Sequence, residues 1–168
     1  VIFKQVNYKR LANPSYNLED NVRLNVDASN VGKELDFKIL VKYKNSINEL
    51  VLNDNKLSSL PDSIKEFKKL TTLSLNNNKL QCLPKSIVEL KSLEKLLLSD
   101  NQLKEIPTNI DELTKLQVLG LGNNQLEKLP TSIGNLKNLM YLNVTNNKLV
   151  SLPPKIKDMK QLKYLMID

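Results

Sequence analysis

The sequence predicts an α/β solenoid: a curved coil with a parallel β-sheet on its concave face and short helical or 3₁₀ limbs returning along its convex face. Three observations predict it. Sliding the chain against itself by 23 residues superposes Ile47, Leu70, Leu93, Leu116, Leu139 and Leu162 without an insertion. The same shift superposes Asn55, Asn78, Asn101, Asn124 and Asn147, and also Pro61, Pro84, Pro107, Pro130 and Pro153. Within each unit a period-two apolar pair is followed by apolar residues at helical spacing, so each unit is a strand and a return limb.

Residues 1–46 are expected to form an N-terminal cap. From Val1 to Asn21 nothing matches the repeat, and Asn13-Pro14-Ser15 reads as a turn. Val22, Leu24 and Val26 then alternate with Arg23 and Asn25, which predicts a strand near 22–26 with one buried face, taken as the first of the sheet. It precedes the equivalent leucines Leu50 and Leu52 by 26 residues, so this coil is a modified one. Between them, residues 33–44 place Leu35, Ile39, Leu40 and Tyr43 at helical spacing, with Asn30 or Gly32 available to start the turn. A helix there covers the open end of the stack, which would otherwise expose its core.

Residues 47–168 hold five full units and the start of a sixth. In the unit that begins at Leu70, the apolar positions are Leu70, Leu73, Leu75, Leu80, Leu83, Ile87 and Leu90. Leu73-x-Leu75 makes the short strand, and Asn78 follows where the chain must turn. Leu83-Pro84 opens the return limb, since proline fixes φ and has no N–H to satisfy. Ile87 and Leu90, three apart, then make one helical or 3₁₀ turn. One unit alone cannot bury enough to fold, so neighbouring units share their leucines and pair their strands. The asparagine column (Asn55, Asn78, Asn101, Asn124, Asn147) is expected to carry that pairing around the bend, satisfying backbone groups in its own turn and in the next coil.

The consensus Leu-x-x-Leu-x-Leu-x-x-Asn-x-Leu-x-x-Leu-Pro-x-x-Ile-x-x-Leu-x-x resembles the leucine-rich repeat in its 23-residue form, over residues 47–168. That form occurs in Ras-suppressor-like scaffold proteins, in intracellular plant repeat proteins and in short bacterial proteins, including exported proteins of spirochaetes. The lysine- and asparagine-rich composition is most similar to the last group. The resemblance implies a solenoid whose concave sheet binds other proteins; it names no partner.

Composition narrows the chemistry. No apolar run is long enough to span a bilayer, and no charged-then-apolar leader opens the chain. The chain starts at Val1 rather than at a methionine, as expected of one whose upstream part has been removed. It stops after the sixth strand signal, Leu165-Met166-Ile167, without a cap. The expectation is that it continues, or that this edge pairs with another chain in self-association.

The net charge of +7 is spread out: residues 1–46 carry eight basic and five acidic side chains, and the remainder seventeen and thirteen. Only Arg10 and Arg23 are arginines, which argues against a sequence-reading nucleic-acid site. Cys82 is alone, so the chain makes no internal disulfide. Both an exported bacterial protein and a cytosolic one are compatible with that.

No catalytic, cofactor-binding or metal-ligating residues are assigned. The chain has no histidine, and Cys82, expected to be half-buried on a loop, has no base beside it in sequence. Asp54 and Asp100 occupy the same position two units apart, about 10 Å at the strand spacing, which is too far to share one cation with Asp168 or each other. Gly120-Leu121-Gly122 lies on a strand with no helix after it, so it is not a phosphate loop. Asn143-Val144-Thr145 matches a glycosylation acceptor, but its place on the sheet argues against use. Lysines recur at the edge where limb meets strand (Lys68, Lys69, Lys91, Lys115, Lys137, Lys160) and read as a solvated rim.

Function is expected in the strand residues between the leucines, which alternation turns outward. In the first strands these are small and polar. In the last four they include Leu97, Val118, Tyr141, Tyr164 and Met166, with Gly120, Gly122 and Asn143 between them. This reads as a shallow apolar floor of bare glycine backbone with aromatic walls, the composition of a protein-binding hot spot. The expected function is therefore a non-catalytic protein-interaction module. The alternative is the repeat segment of a larger signalling or effector enzyme whose catalytic domain lies outside this chain.

Overall fold

The computed structural model describes residues 2–28 and 35–168. Eight strands form one open, all-parallel sheet in simple chain order. They are β1 (Ile2–Asn7), β2 (Val22–Asp27), β3 (Ile47–Val51), β4 (Thr72–Ser74), β5 (Lys95–Leu97), β6 (Val118–Gly120), β7 (Tyr141–Asn143) and β8 (Tyr164–Met166). From β3 onward each connection returns through a 3₁₀ turn: Asp62–Glu66, Lys85–Glu89, Ile110–Glu112, Thr131–Asn135 and Pro154–Asp158. The fold is thus the solenoid that the 23-residue period predicts.

The repeat register is uninterrupted in the sheet. Leu50, Leu73, Leu96, Leu119, Leu142 and Leu165 stand opposite one another on successive strands. All but Leu165 are fully buried, as are Leu52, Leu75, Leu98 and Leu121 one pleat further on. Ile64, Ile87, Ile110 and Ile133 close the core from the convex side. In four of the five limbs a proline precedes the 3₁₀ turn, three of them in extended conformation, such as Pro84 at φ −65° and ψ 146°. The third limb starts two residues later, after Asn109, whose φ of −104° and ψ of 31° leave the turn shorter.

The sheet begins earlier than expected. The first strand is β1, not β2, and a short helix α1 (Tyr8–Leu11) follows it. β1 pairs with β2 from Ile2↔Val22 to Asn7↔Asp27, an offset of 20 residues that the 23-residue comparison does not detect. Its inward-facing row is Ile2, Lys4 and Val6, and Lys4 reaches out to Glu19 at 3.5 Å rather than entering the core. A lysine on the inward face of an edge strand blunts it against further pairing. Between Val22 and Arg23 the register with β3 shifts by one residue, from an offset of 25 to one of 26.

The cap helix α2 spans Phe37–Val41, with Asp36 as its N-cap, its carboxylate accepting from Lys38 N at 3.0 Å. It is shorter than the segment 33–44 that helical spacing suggests, because the chain passes into turn after Val41. Asn30, Gly32 and Lys33 lie outside the described residues. Leu35, Phe37, Leu40 and Tyr43 are buried over the first coil. Two tyrosine hydroxyls tie the cap together: Tyr8 Oη accepts from Asp36 N at 3.0 Å, and Tyr43 Oη donates to Leu11 O at 3.0 Å.

Candidate functional site

The asparagine column sets the frame on which the concave face is mounted. Asn101 Nδ2 donates to Leu75 O at 2.9 Å and to Leu98 O at 3.1 Å, while its Oδ1 accepts from Leu80 N at 3.0 Å. Asn55, Asn78, Asn124 and Asn147 repeat the arrangement, each taking a carbonyl and an N–H of the coil before it. The column therefore ties each coil backward to its predecessor, not forward to the next as expected. The first four are buried and Asn147 is half-buried.

A second polar column was not recognised in the sequence. Asp54, Asn77, Asp100, Asn123 and Asn146 hold φ between 54° and 60°, the left-handed conformation that Asn and Asp adopt more readily than other non-glycine residues. Their side chains link along the rim. Asn77 donates to Asp54, Asn123 to Asp100 at 2.8 Å, and Asn146 to Asn123 at 2.7 Å. Asp168 Oδ2 accepts from Asn146 N at 2.7 Å. The three aspartates are thus spent on amide donors one by one. Among the described residues no three His, Cys, Asp or Glu side chains converge on one point.

On the concave face the two halves differ. In the first half the outward side chains satisfy one another: Thr72 Oγ1 donates to Glu49 at 3.2 Å, and Asn53 Oδ1 accepts from Ser74 Oγ and Asn76 N, both at 2.8 Å. Asn76 Oδ1 takes Ser99 N at 2.8 Å in the same way. Thr72, Ser74 and Val51 are buried, so this half offers little to a ligand.

The second half is apolar. Val118, Tyr141 and Tyr164 stand in one register row across β6, β7 and β8, preceded by Lys95 on β5. The tyrosine rings are tilted against each other with centroids 6.2 Å apart. Tyr141 Oη donates to Met166 Sδ at 2.9 Å, which bends the phenol over the neighbouring strand. Tyr164 is 62% exposed and Met166 43%, large values for apolar groups of this size. Val118, Met140, Tyr141, Lys163 and Tyr164 line one shallow open depression. Met140 and Lys163 sit one residue before the strand positions considered in the sequence, where alternation alone places nothing on the concave face.

The glycines do not form a bare floor. Gly120 and Gly122 are buried. The place a Cβ would take at Gly120 lies 3.5 Å from Leu97 Cδ2, so the half-buried Leu97 covers it. At Gly122 that place lies 3.3 Å from Asn143 Nδ2 and from Thr145 Oγ1, so polar groups of β7 and the turn after it occupy the space. Asn143 Oδ1 is taken by Thr145 N at 3.0 Å and Thr145 Oγ1 at 2.8 Å. The apolar surface is therefore shifted toward the tyrosines, with Asn143 and the glycines as its polar border.

Elsewhere, Cys82 is exposed rather than half-buried. The rim lysines are exposed, and Lys91 Nζ pairs with Glu112 Oε1 at 3.3 Å. The Glu112 carboxyl is held below its usual range by the Asn109 amide and then by the Lys91 ammonium. Burial, with Tyr16 adding to it, raises the Tyr43 phenol in the cap. No helix among the described residues is long and apolar enough to cross a membrane.

Two family models match the sequence: "Leucine rich repeat" over residues 45–103 and "Leucine-rich repeat region" over residues 96–168. No curated protein matches it. Among solved structures it is similar to the leucine-rich-repeat protein LIC12759 of Leptospira interrogans, at 30% identity and a TM-score of 0.79, covering 97% of this chain and 46% of that one. The chain thus spans less than half the length of that protein. A chain of the BIR3–SERK2 complex from Arabidopsis thaliana is 30% identical with a TM-score of 0.64, over 74% of this chain and 69% of its own. Internalin C2 of Listeria monocytogenes shares the fold at 18% identity and a TM-score of 0.71, over 89% of this chain and 69% of its own.

Proposed function

This chain belongs to the leucine-rich-repeat family, and from that premise we propose that it is a non-catalytic module that binds a protein partner on the concave face of its last four strands. Leucine-rich-repeat domains mediate protein–protein interaction, and the family relative from Arabidopsis was crystallised as a BIR3–SERK2 complex. The observation that carries the reading for this chain is the Tyr141–Tyr164 pair with Val118 and Met166 beside it. Tyr164 and Met166 are exposed and Val118 and Tyr141 half-buried, so a docking partner removes their remaining apolar surface from water, which is favourable. Tyrosine also brings a large contact area with few rotatable bonds, so its ordering costs little. The first half of the face, with its outward groups already hydrogen-bonded, acts as a rigid continuation of the frame.

The test is retention of co-purifying proteins from lysate of the producing cells on the immobilised chain. Tyr141→Ala and Val118→Glu are compared with Lys91→Glu on the rim. Loss of a specific band with the two concave changes, and its survival in Lys91→Glu, is the expected result. Loss with the rim change alone places the site on the convex edge and contradicts the proposal.

A further inference from the structure

Resting on that concave-face reading, we propose that the partner presents an extended acidic segment: an apolar side chain seated between Val118 and Tyr141, with a carboxylate on each side of it. One carboxylate pairs with Lys95 and the other with Lys163. The register row runs Lys95, Val118, Tyr141, Tyr164, and Lys163 lines the same depression beside Tyr164. The apolar strip is therefore closed at both ends by a cation.

Both lysines are exposed, and among the described residues neither has a carboxylate within ion-pair range. Other lysines do: Lys44 pairs with Glu66, Lys65 with Asp62 and Lys91 with Glu112. Glu94, the acidic group next to Lys95 in sequence, instead accepts from Gln117 Nε2 at 3.1 Å. The field over the strip is thus positive with an apolar centre, and a complementary ligand is negative at its ends and apolar between.

The spacing fixes the ligand further. Strands about 4.8 Å apart set Lys95 and the Tyr164–Lys163 end about 14 Å from each other. An extended chain rises about 3.3 Å per residue, so a segment crossing the strands meets both cations with acids about four residues apart. The side chain midway between those acids, about 7 Å from Lys95, lies between Val118 and Tyr141.

The test uses the full chain as bait for a phage-displayed library of random twelve-residue peptides, with the strongest binder then synthesised and titrated. The proposal expects enriched sequences with an apolar residue between acids about four apart. It expects the double change Lys95→Glu and Lys163→Glu to weaken that peptide about tenfold or more, and raised salt to weaken it as well. Tyr141→Ala is expected to weaken it about thirtyfold. Each variant is first shown to unfold at the wild-type temperature.

Enriched peptides that are apolar but not acidic, and indifferent to charge reversal while sensitive to Tyr141→Ala, overturn the acidic partner and leave the concave site standing. Peptides indifferent to all three changes overturn the concave site itself. Failure to enrich any peptide, with anionic phosphatidylserine vesicles retained instead in a lysine-dependent manner, assigns the cations to a lipid surface and also overturns the proposal.

Discussion

Asn101 shows how much of this molecule a single side chain holds. Its amide donates to Leu75, Leu98 and Ser99 carbonyls and accepts from Leu80 N, all in the bend where the strand ladder has ended. The bonds to the Leu75 and Leu98 carbonyls and from Leu80 N are buried, so these groups have no water to turn to. Leucine fits the volume but leaves Leu80 N without its acceptor and strips the Leu75 and Leu98 carbonyls of one donor each, Asn78 and Asn124 still holding the other, and an aspartate can accept from Leu80 N yet faces the Leu75 carbonyl with like polarity. Asn101→Leu is therefore expected to lower unfolding free energy by about 1 to 3 kcal/mol, read as a shifted urea midpoint. The ladder was legible because five asparagines recur at one period. What Asn53 and Asn76 do was not, because a side chain that bonds across to the next coil leaves no trace in its own sequence. The same holds for Gly122, where the absent side chain is replaced by Asn143 and Thr145 from the adjoining coil.

At the scale of the element, the return limbs explain why the sheet is so regular. Each 3₁₀ turn buries one isoleucine and is followed by an apolar residue, Phe67, Leu90, Leu113, Leu136 or Met159, whose N–H bonds back to it, as Leu90 N does to Ile87 O at 3.2 Å. The third limb keeps this pattern in a shorter turn, and Asn109, Glu112 and Lys91 join it to the limb before. Asn109 Nδ2 donates to Glu112 Oε2 at 2.6 Å, and Lys91 Nζ to Oε1 at 3.3 Å. The folded state lowers the Glu112 pKa from its usual 4.5, so it binds that proton less readily than the unfolded chain does. The stability this contributes is present above pH 4.5 and is lost as pH falls through the lowered value. Glu112→Gln is expected to lower stability slightly at pH 7, where that contribution is present, and to converge with the wild type as pH falls through the lowered value, which flattens the acid side of the profile. The group is exposed, so the change is a small one, and urea unfolding at pH 3 and pH 7 measures it.

Over the whole molecule, the solenoid from β3 to β8 was readable from periodicity alone, since every core leucine recurs in register. The N-terminal end was less so. β1 has Lys4 where alternation asks for an apolar residue, and its 20-residue offset breaks the period. The position of the exposed apolar patch was legible from Val118, Tyr141 and Tyr164, which differ from the small polar residues of earlier coils. Its extent was not, because Met140 and Lys163 join it from outside the alternating positions and Leu97 closes it over Gly120.

The central claim is that a partner docks on the tyrosine row of the last strands, and the five tyrosines are placed to report on it. Tyr8, Tyr16 and Tyr43 belong to the cap, whereas Tyr141 and Tyr164 form the proposed floor. The most direct measurement is fluorine NMR of the chain labelled with 3-fluorotyrosine, titrated with the partner or the selected peptide. Shifts confined to the Tyr141 and Tyr164 resonances are the expected result. Saturated binding that leaves both unmoved, or that moves only the three cap tyrosines, contradicts the account.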